Sequence, residues 1–105
     1  MSVIMTMVLE GDGEMLEQFA AENPDRIKAI RDHAVEHGLI AHRFYGSEGR
    51  IMVIDEWPDE ASFQAFFEEN GPRIGPMMQA SDVTSEPHPT FWRQLESGDV
   101  VGWGA

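Results

Sequence analysis

Residues 50–69, RIMVIDEWPDEASFQAFFEE, pass without interruption from an apolar strand, through a tight turn, into an amphipathic helix. Between Ile51 and Trp57 only Asp55 and Glu56 are polar, so the alternation of a strand with one wet face is missing and both faces call for cover. Pro58 cannot donate to a ladder and ends the strand. Asp59 is suited to cap the helix that follows, on which Phe63, Phe66 and Phe67 recur at helical spacing as one apolar stripe.

Working outward, Val3 to Leu9 is a first strand, closed by Gly11-Asp12-Gly13. Glu14 to Glu22 is helical. Asn23-Pro24-Asp25 restarts a helix, with Asn23 as N-cap and Pro24 in the first position, so the first helix is two pieces. Its second piece aligns Ile27, Ile30 and Ala34 and ends with Gly38 as C-cap. Leu39 to Tyr45 is a second strand, joined to the third by a four-residue connection, Gly46 to Gly49. Beyond the Phe-rich helix, Asn70-Gly71-Pro72 breaks the pattern and Arg73 to Ala80 resumes as a short helical segment. Thr90 to Leu95 is the last strand. The Gly-rich stretch from Ser97 to Ala105 reads as a flexible tail, leaving residues 1–96 as a single domain.

The order strand, helix, strand, strand, helix, strand is the split unit of a ferredoxin-like α+β fold with an antiparallel sheet. Its helices cover one sheet face. Because the strands are apolar on both sides, the other face is expected to be buried against a second copy in a symmetric homodimer.

Composition narrows the function. Seven Lys and Arg against nineteen Asp and Glu give a formal net charge of −12, spread along the chain, a field that repels phosphate backbones and anionic lipid. Nucleic acid and membrane surfaces are therefore not expected as partners, while a hydrophobic small molecule is. The absence of cysteine removes disulfides, thiolate metal sites and cysteine nucleophiles, and no apolar stretch is long enough to span a bilayer. The expected location is the cytoplasm. No phosphate loop, dinucleotide fingerprint, nucleophile elbow or zinc-protease motif occurs, and no cofactor is expected.

With these elements in place the chain resembles the antibiotic-biosynthesis-monooxygenase-like family of the dimeric α/β-barrel superfamily. The likeness is carried by the opening strand, by Gly38-Leu39-Ile40 at the entry to the second strand, and above all by Asp55-Glu56-Trp57-Pro58-Asp59-Glu60-Ala61. It implies a homodimer in which two four-stranded sheets close into a barrel, with a pocket in each subunit between sheet and helices. Members include cofactor-independent oxygenases of aromatic phenols and quinols and haem-degrading enzymes. Haem-degrading relatives carry a Trp where this chain has Phe66, and an iron-binding His at a place that falls near Gly75-Pro76-Met77, where there is none. The resemblance thus favours a monooxygenase of hydrophobic aromatic molecules over haem degradation, with a non-catalytic ligand-binding or stress-associated dimer as the alternative.

Among candidate residues, His42 stands mid-strand on an apolar face with Ile40 and Phe44. Its neutral ring is suited to take a proton from a phenol, although a hydrogen-bonded core histidine is the commoner outcome. Trp57, Phe63 and Phe66 are expected to wall the pocket, and Arg43, Tyr45 and Asp55 to orient a ligand in it or, more simply, to form an Arg43–Asp55 or Arg43–Glu56 ion pair. His33 and His37 stand four apart, the spacing of a shared metal, but His33 is expected to turn from the core and no third ligand is in register, so no metal site is assigned. His88, between two prolines, reads as a loop residue.

Overall fold

In the computed structural model, which describes residues 1–103, a four-stranded antiparallel sheet carries four helices packed on one face. The strands are β1 (Val3–Glu10), β2 (Ala41–Ser47), β3 (Arg50–Trp57) and β4 (Thr90–Trp92), in the spatial order β2-β3-β1-β4. The helices are α1 (Gly13–Glu22), α2 (Pro24–Glu36), α3 (Glu60–Glu69) and α4 (Gly71–Ala80). This is the ferredoxin-like arrangement the sequence called for, with each of its two helices split in two.

The break between α1 and α2 falls at Asn23, but Asn23 makes no side-chain cap for α2. Its amide donates instead to the carbonyl of Phe19, closing α1. Asp12 and Asp59 do cap, accepting from the backbone N–H groups of Glu14 and Met15 and of Ser62 respectively. Helix α2 ends in a Schellman motif: the N–H of Leu39 reaches Ala34 and that of Gly38 reaches Val35, with Gly38 at φ +103°. Helix α4 runs from Gly71 rather than Arg73 and keeps Pro76 in its interior. Asn70 makes this possible. Fully buried, it donates to the carbonyl of Phe66 and accepts from Arg73, so the groups left free where α3 stops are satisfied inside the protein.

Strand boundaries also differ: β1 extends to Glu10, and β2 begins at Ala41 instead of Leu39. The β2–β3 connection is the two-residue turn Glu48-Gly49, with Gly49 at φ +70°, because Gly46 and Ser47 remain in the ladder opposite Ile51 and Arg50. Strand β4 stops at Trp92, since only Thr90 to Trp92 find partners on β1. Ser97 to Trp103 are exposed, with the Trp103 side chain wholly so, and the last two positions of the expected tail lie outside the described residues.

Register divides the strands cleanly. Met5, Met7 and Leu9 of β1, Ile51, Val53, Asp55 and Trp57 of β3, and Phe91 of β4 face the helices. They pack there against Leu16, Phe19, Ala34, Phe63, Phe66, Ile74 and Met77. The opposite face presents Ile4, Thr6 and Val8, Met52 and Ile54, Arg43 and Tyr45, and Trp92, with no helix over it. No helix among the described residues is long and apolar enough to cross a membrane.

Candidate functional site

Strand β2 is an edge strand, and all seven of its residues are exposed even though α1 and α2 lie on that side of the sheet. The helices therefore roof the sheet incompletely. Between them and β2 lies a cavity of about 540 Å³ walled by Met7, Leu16, Ile27, Phe44, Val53 and Trp57, with Phe63 and Phe66 behind. The space is almost wholly apolar. At its edge stand Glu17, Arg31 and His42.

One polar unit reaches into this wall. Asp55, 5% exposed, lies directly opposite His42 in the ladder, so the two side chains share the helix-facing side. Its Oδ1 accepts from His42 Nδ1 at 2.6 Å, and its Oδ2 accepts from the indole Nε1 of Trp57 at 3.0 Å. A carboxylate only accepts, so Nδ1 of His42 carries a proton, and in the neutral ring the lone pair is on Nε2. Phe44 holds the ring from the side, edge-on at 4.7 Å between centroids. Trp57 has no exposure at all, and Phe63 and Phe66 pack on it at 5.7 and 5.4 Å. The charged group is thus fixed by a buried indole on one side and hands its orientation to a histidine that is about one-third exposed.

The structure separates the residues expected to work together. His42, Asp55, Trp57, Phe63 and Phe66 line one cavity. Arg43 does not: it lies opposite Ile54 on the uncovered face, where its guanidinium donates to the Tyr45 hydroxyl at 3.4 Å. That bond raises the Arg43 pKa above its ordinary value by favouring the charged guanidinium. The expected Arg43–Asp55 pair is replaced by His42–Asp55, because residues paired across an antiparallel ladder share a face and Arg43 has the other parity. Glu56, the alternative partner, accepts from the Ser2 hydroxyl. Tyr45 is of the same parity as Arg43 but borders the cavity at its rim.

His37 is fully engaged. Its Nδ1 donates to the His33 carbonyl at 2.8 Å and its Nε2 lies 2.9 Å from Glu69 Oε2, tying α2 to α3 beside Phe66. His33, expected to face away from the core, is partly buried, and its Nδ1 is shielded without a partner among the described residues. No cluster of three metal-ligating side chains occurs among those residues. The stretch Ile74 to Met78 lies within α4 and contains no histidine, with Ile74 and Met77 turned into the core.

No family model matches the chain, and no curated protein matches it in sequence. Solved structures do. A dimeric ferredoxin-like protein from an uncultured marine organism is 14% identical over 91% of this chain and 90% of its own, with a TM-score of 0.63. An antibiotic biosynthesis monooxygenase is 15% identical over 90% and 99%, with a TM-score of 0.60. SnoaB, a cofactor-independent oxygenase from Streptomyces nogalater, is 18% identical over 91% and 97%, with a TM-score of 0.59 in a mutant form. The resemblance read from the sequence thus holds for the fold along nearly the whole chain.

Proposed function

We propose that this protein is a homodimeric, cofactor-independent monooxygenase of hydroxyaromatic molecules, with His42 as its general base. The observation that carries the reading is the Asp55 carboxylate shared between Trp57 and His42, which leaves the lone pair of His42 Nε2 free at the edge of an apolar cavity. A flat phenol in that cavity gives its proton to Nε2, and Asp55 compensates the imidazolium that forms. The aromatic anion, held away from water, passes an electron to dioxygen. Recombination gives a peroxide anion that takes the proton back from His42, and loss of water from the hydroperoxide then gives the quinone, as in anthrone plus dioxygen yielding anthraquinone plus water. The fold shared with SnoaB, itself a cofactor-independent oxygenase, supports this chemistry by analogy.

The uncovered sheet face supports the dimer: Ile4, Val8, Met52, Ile54, Tyr45 and Trp92 form an apolar surface of the kind a second copy covers symmetrically. The test is oxygen uptake with anthrone and simple hydroquinones, comparing wild type with His42→Ala. Turnover that survives the substitution unchanged removes His42 from the mechanism. No turnover across the panel favours a ligand-binding dimer in which His42 only holds Asp55.

A further inference from the structure

The helix that roofs the cavity carries a cation at the border of its apolar stripe. On α2, Ile27, Ile30 and Ala34 turn toward the sheet and line the cavity, and the exposed Arg31, about 40° beyond Ile27 around the helix axis, stands at the border of that stripe and lines the cavity as well. It is the only Lys or Arg among the lining residues. Its guanidinium makes no hydrogen bond and no ion pair among the described residues. Asp32, its neighbour in sequence, is taken by Lys28 at 2.6 Å, which together with the weaker pull of Arg31 holds the Asp32 carboxyl below its ordinary value. Glu17, on the same rim, forms no ion pair among the described residues either. Asp55 is committed to His42 and Trp57.

We infer that Arg31 makes the cavity selective for hydroxyaromatic molecules that also bear a carboxylate, the hydroxyl going to His42 and the carboxylate to the guanidinium. This rests on the reading of the cavity as an aromatic site. A guanidinium offers a planar fork of donors that matches a carboxylate, and a bidentate charge-assisted pair of this kind, screened in part by solvent at the exposed rim, still discriminates a carboxylate from its absence. The overall field works against it: a chain of net charge −12 repels anions, so a preference for an anionic ligand has to come from a local cation.

The experiment is a fluorescence titration of the intact protein with 2-naphthol and with 6-hydroxy-2-naphthoate, which differ only by the carboxylate. The naphthoate is expected to bind wild type about tenfold tighter, with the advantage shrinking as salt is added. In Arg31→Met, which keeps an apolar stem over the cavity, the advantage is expected to vanish while 2-naphthol affinity stays within about twofold; Arg31→Lys is expected to restore part of it. Equal binding of the two ligands by wild type, or an advantage that survives in Arg31→Met, overturns the role of Arg31 and leaves the aromatic site standing. Failure of both ligands to bind wild type overturns the aromatic site and the selectivity with it.

Discussion

Replacing Asp55 by Asn keeps the shape of the side chain and reverses one of its two contacts. The carboxylate accepts twice, from a fully buried indole N–H at 3.0 Å and from an imidazole N–H at 2.6 Å. An amide has one accepting atom where the carboxylate has two, and the fully buried indole N–H needs it most, so the Asn oxygen is expected to turn to Trp57 and its NH₂ to face His42 Nδ1. His42 must then accept at Nδ1 and carry its proton on Nε2, the wrong tautomer for a base facing the cavity. Hydrogen bonds to an ionised group contribute roughly 1.5–3 kcal/mol and neutral ones about 0.5–1.5, so two such exchanges cost about 2 kcal/mol. The His42 bond is partly screened by solvent and the buried charge is relieved of its desolvation, which brings the expected loss in urea unfolding to about 1 kcal/mol. Asp55→Ala, which leaves the indole N–H unpaired and opens a void, is expected to cost about 3 kcal/mol. The catalytic prediction is larger: at least about a hundredfold lower turnover in Asp55→Asn, the scale of a lost general base. Nitrogen-detected NMR of the imidazole at alkaline pH reads the tautomer directly. A proton on Nδ1 in both wild type and Asp55→Asn, or on Nε2 in both, refutes the reasoning regardless of activity.

Sedimentation of the wild type at micromolar concentration is expected to give about twice 11.8 kDa, and Val8→Glu, on the uncovered face, a folded monomer; a wild-type monomer refutes the covered-sheet reading. Gly38→Ala is expected to lower stability by about 2 kcal/mol in urea unfolding, because φ is +103° there and a Cβ would meet Pro58 Cγ at 3.0 Å. The Asp59 carboxyl is held below its ordinary value of 3.8, first by the Ser62 side chain and then by its backbone N–H. A group depressed in the folded state stabilises fully above its unfolded pKa and loses that contribution as pH falls through the folded value. Asp59→Asn, which can still cap, is therefore expected to flatten the acid limb of the stability profile below about pH 4, and an unchanged limb excludes Asp59 as a contributor. Phe66→Ala, buried against Trp57, is expected to cost about 3–4 kcal/mol by thermal or urea unfolding.

The sheet and its helices were legible because the signals were local: an N-capping Asp59 before an aromatic stripe, a Gly38 stop, strands with no polar face. The split at Asn23-Pro24 was equally visible, but the use of the Asn23 amide was not, since one side chain could serve either the helix behind it or the one ahead. In the site, His42 announced itself by standing polar among apolar neighbours, whereas its partner was misassigned to Arg43. Parity held the missing signal. Any connection of even length between β2 and β3 puts even-numbered residues of one on the face of odd-numbered residues of the other, so His42 shares a face with Asp55 and Arg43 with Ile54 whether the loop has two residues or four, and the two-residue turn then sets each pair directly opposite. The Trp57–Asp55 bond lay two residues apart on one face and could have been drawn from spacing alone. The place of Arg31 at the rim depended on where α2 sits relative to the cavity, which no local pattern encodes.

The cavity borrows much of its lining from the core. Met7, Leu16, Val53, Trp57, Phe63, Phe66 and Met77 form both its wall and the hydrophobic core. Occupancy and folding therefore report on each other. A ligand present at a hundredfold over its dissociation constant adds about 2.7 kcal/mol to the folded state, which in a chain of this size raises the melting temperature by about 10 °C or more. The cognate small molecule can thus be sought by melting the unlabelled protein against a chemical library. Variants that widen the cavity give up some of the cohesion that keeps the chain folded, so a change of substrate has to be accompanied by stabilisation elsewhere.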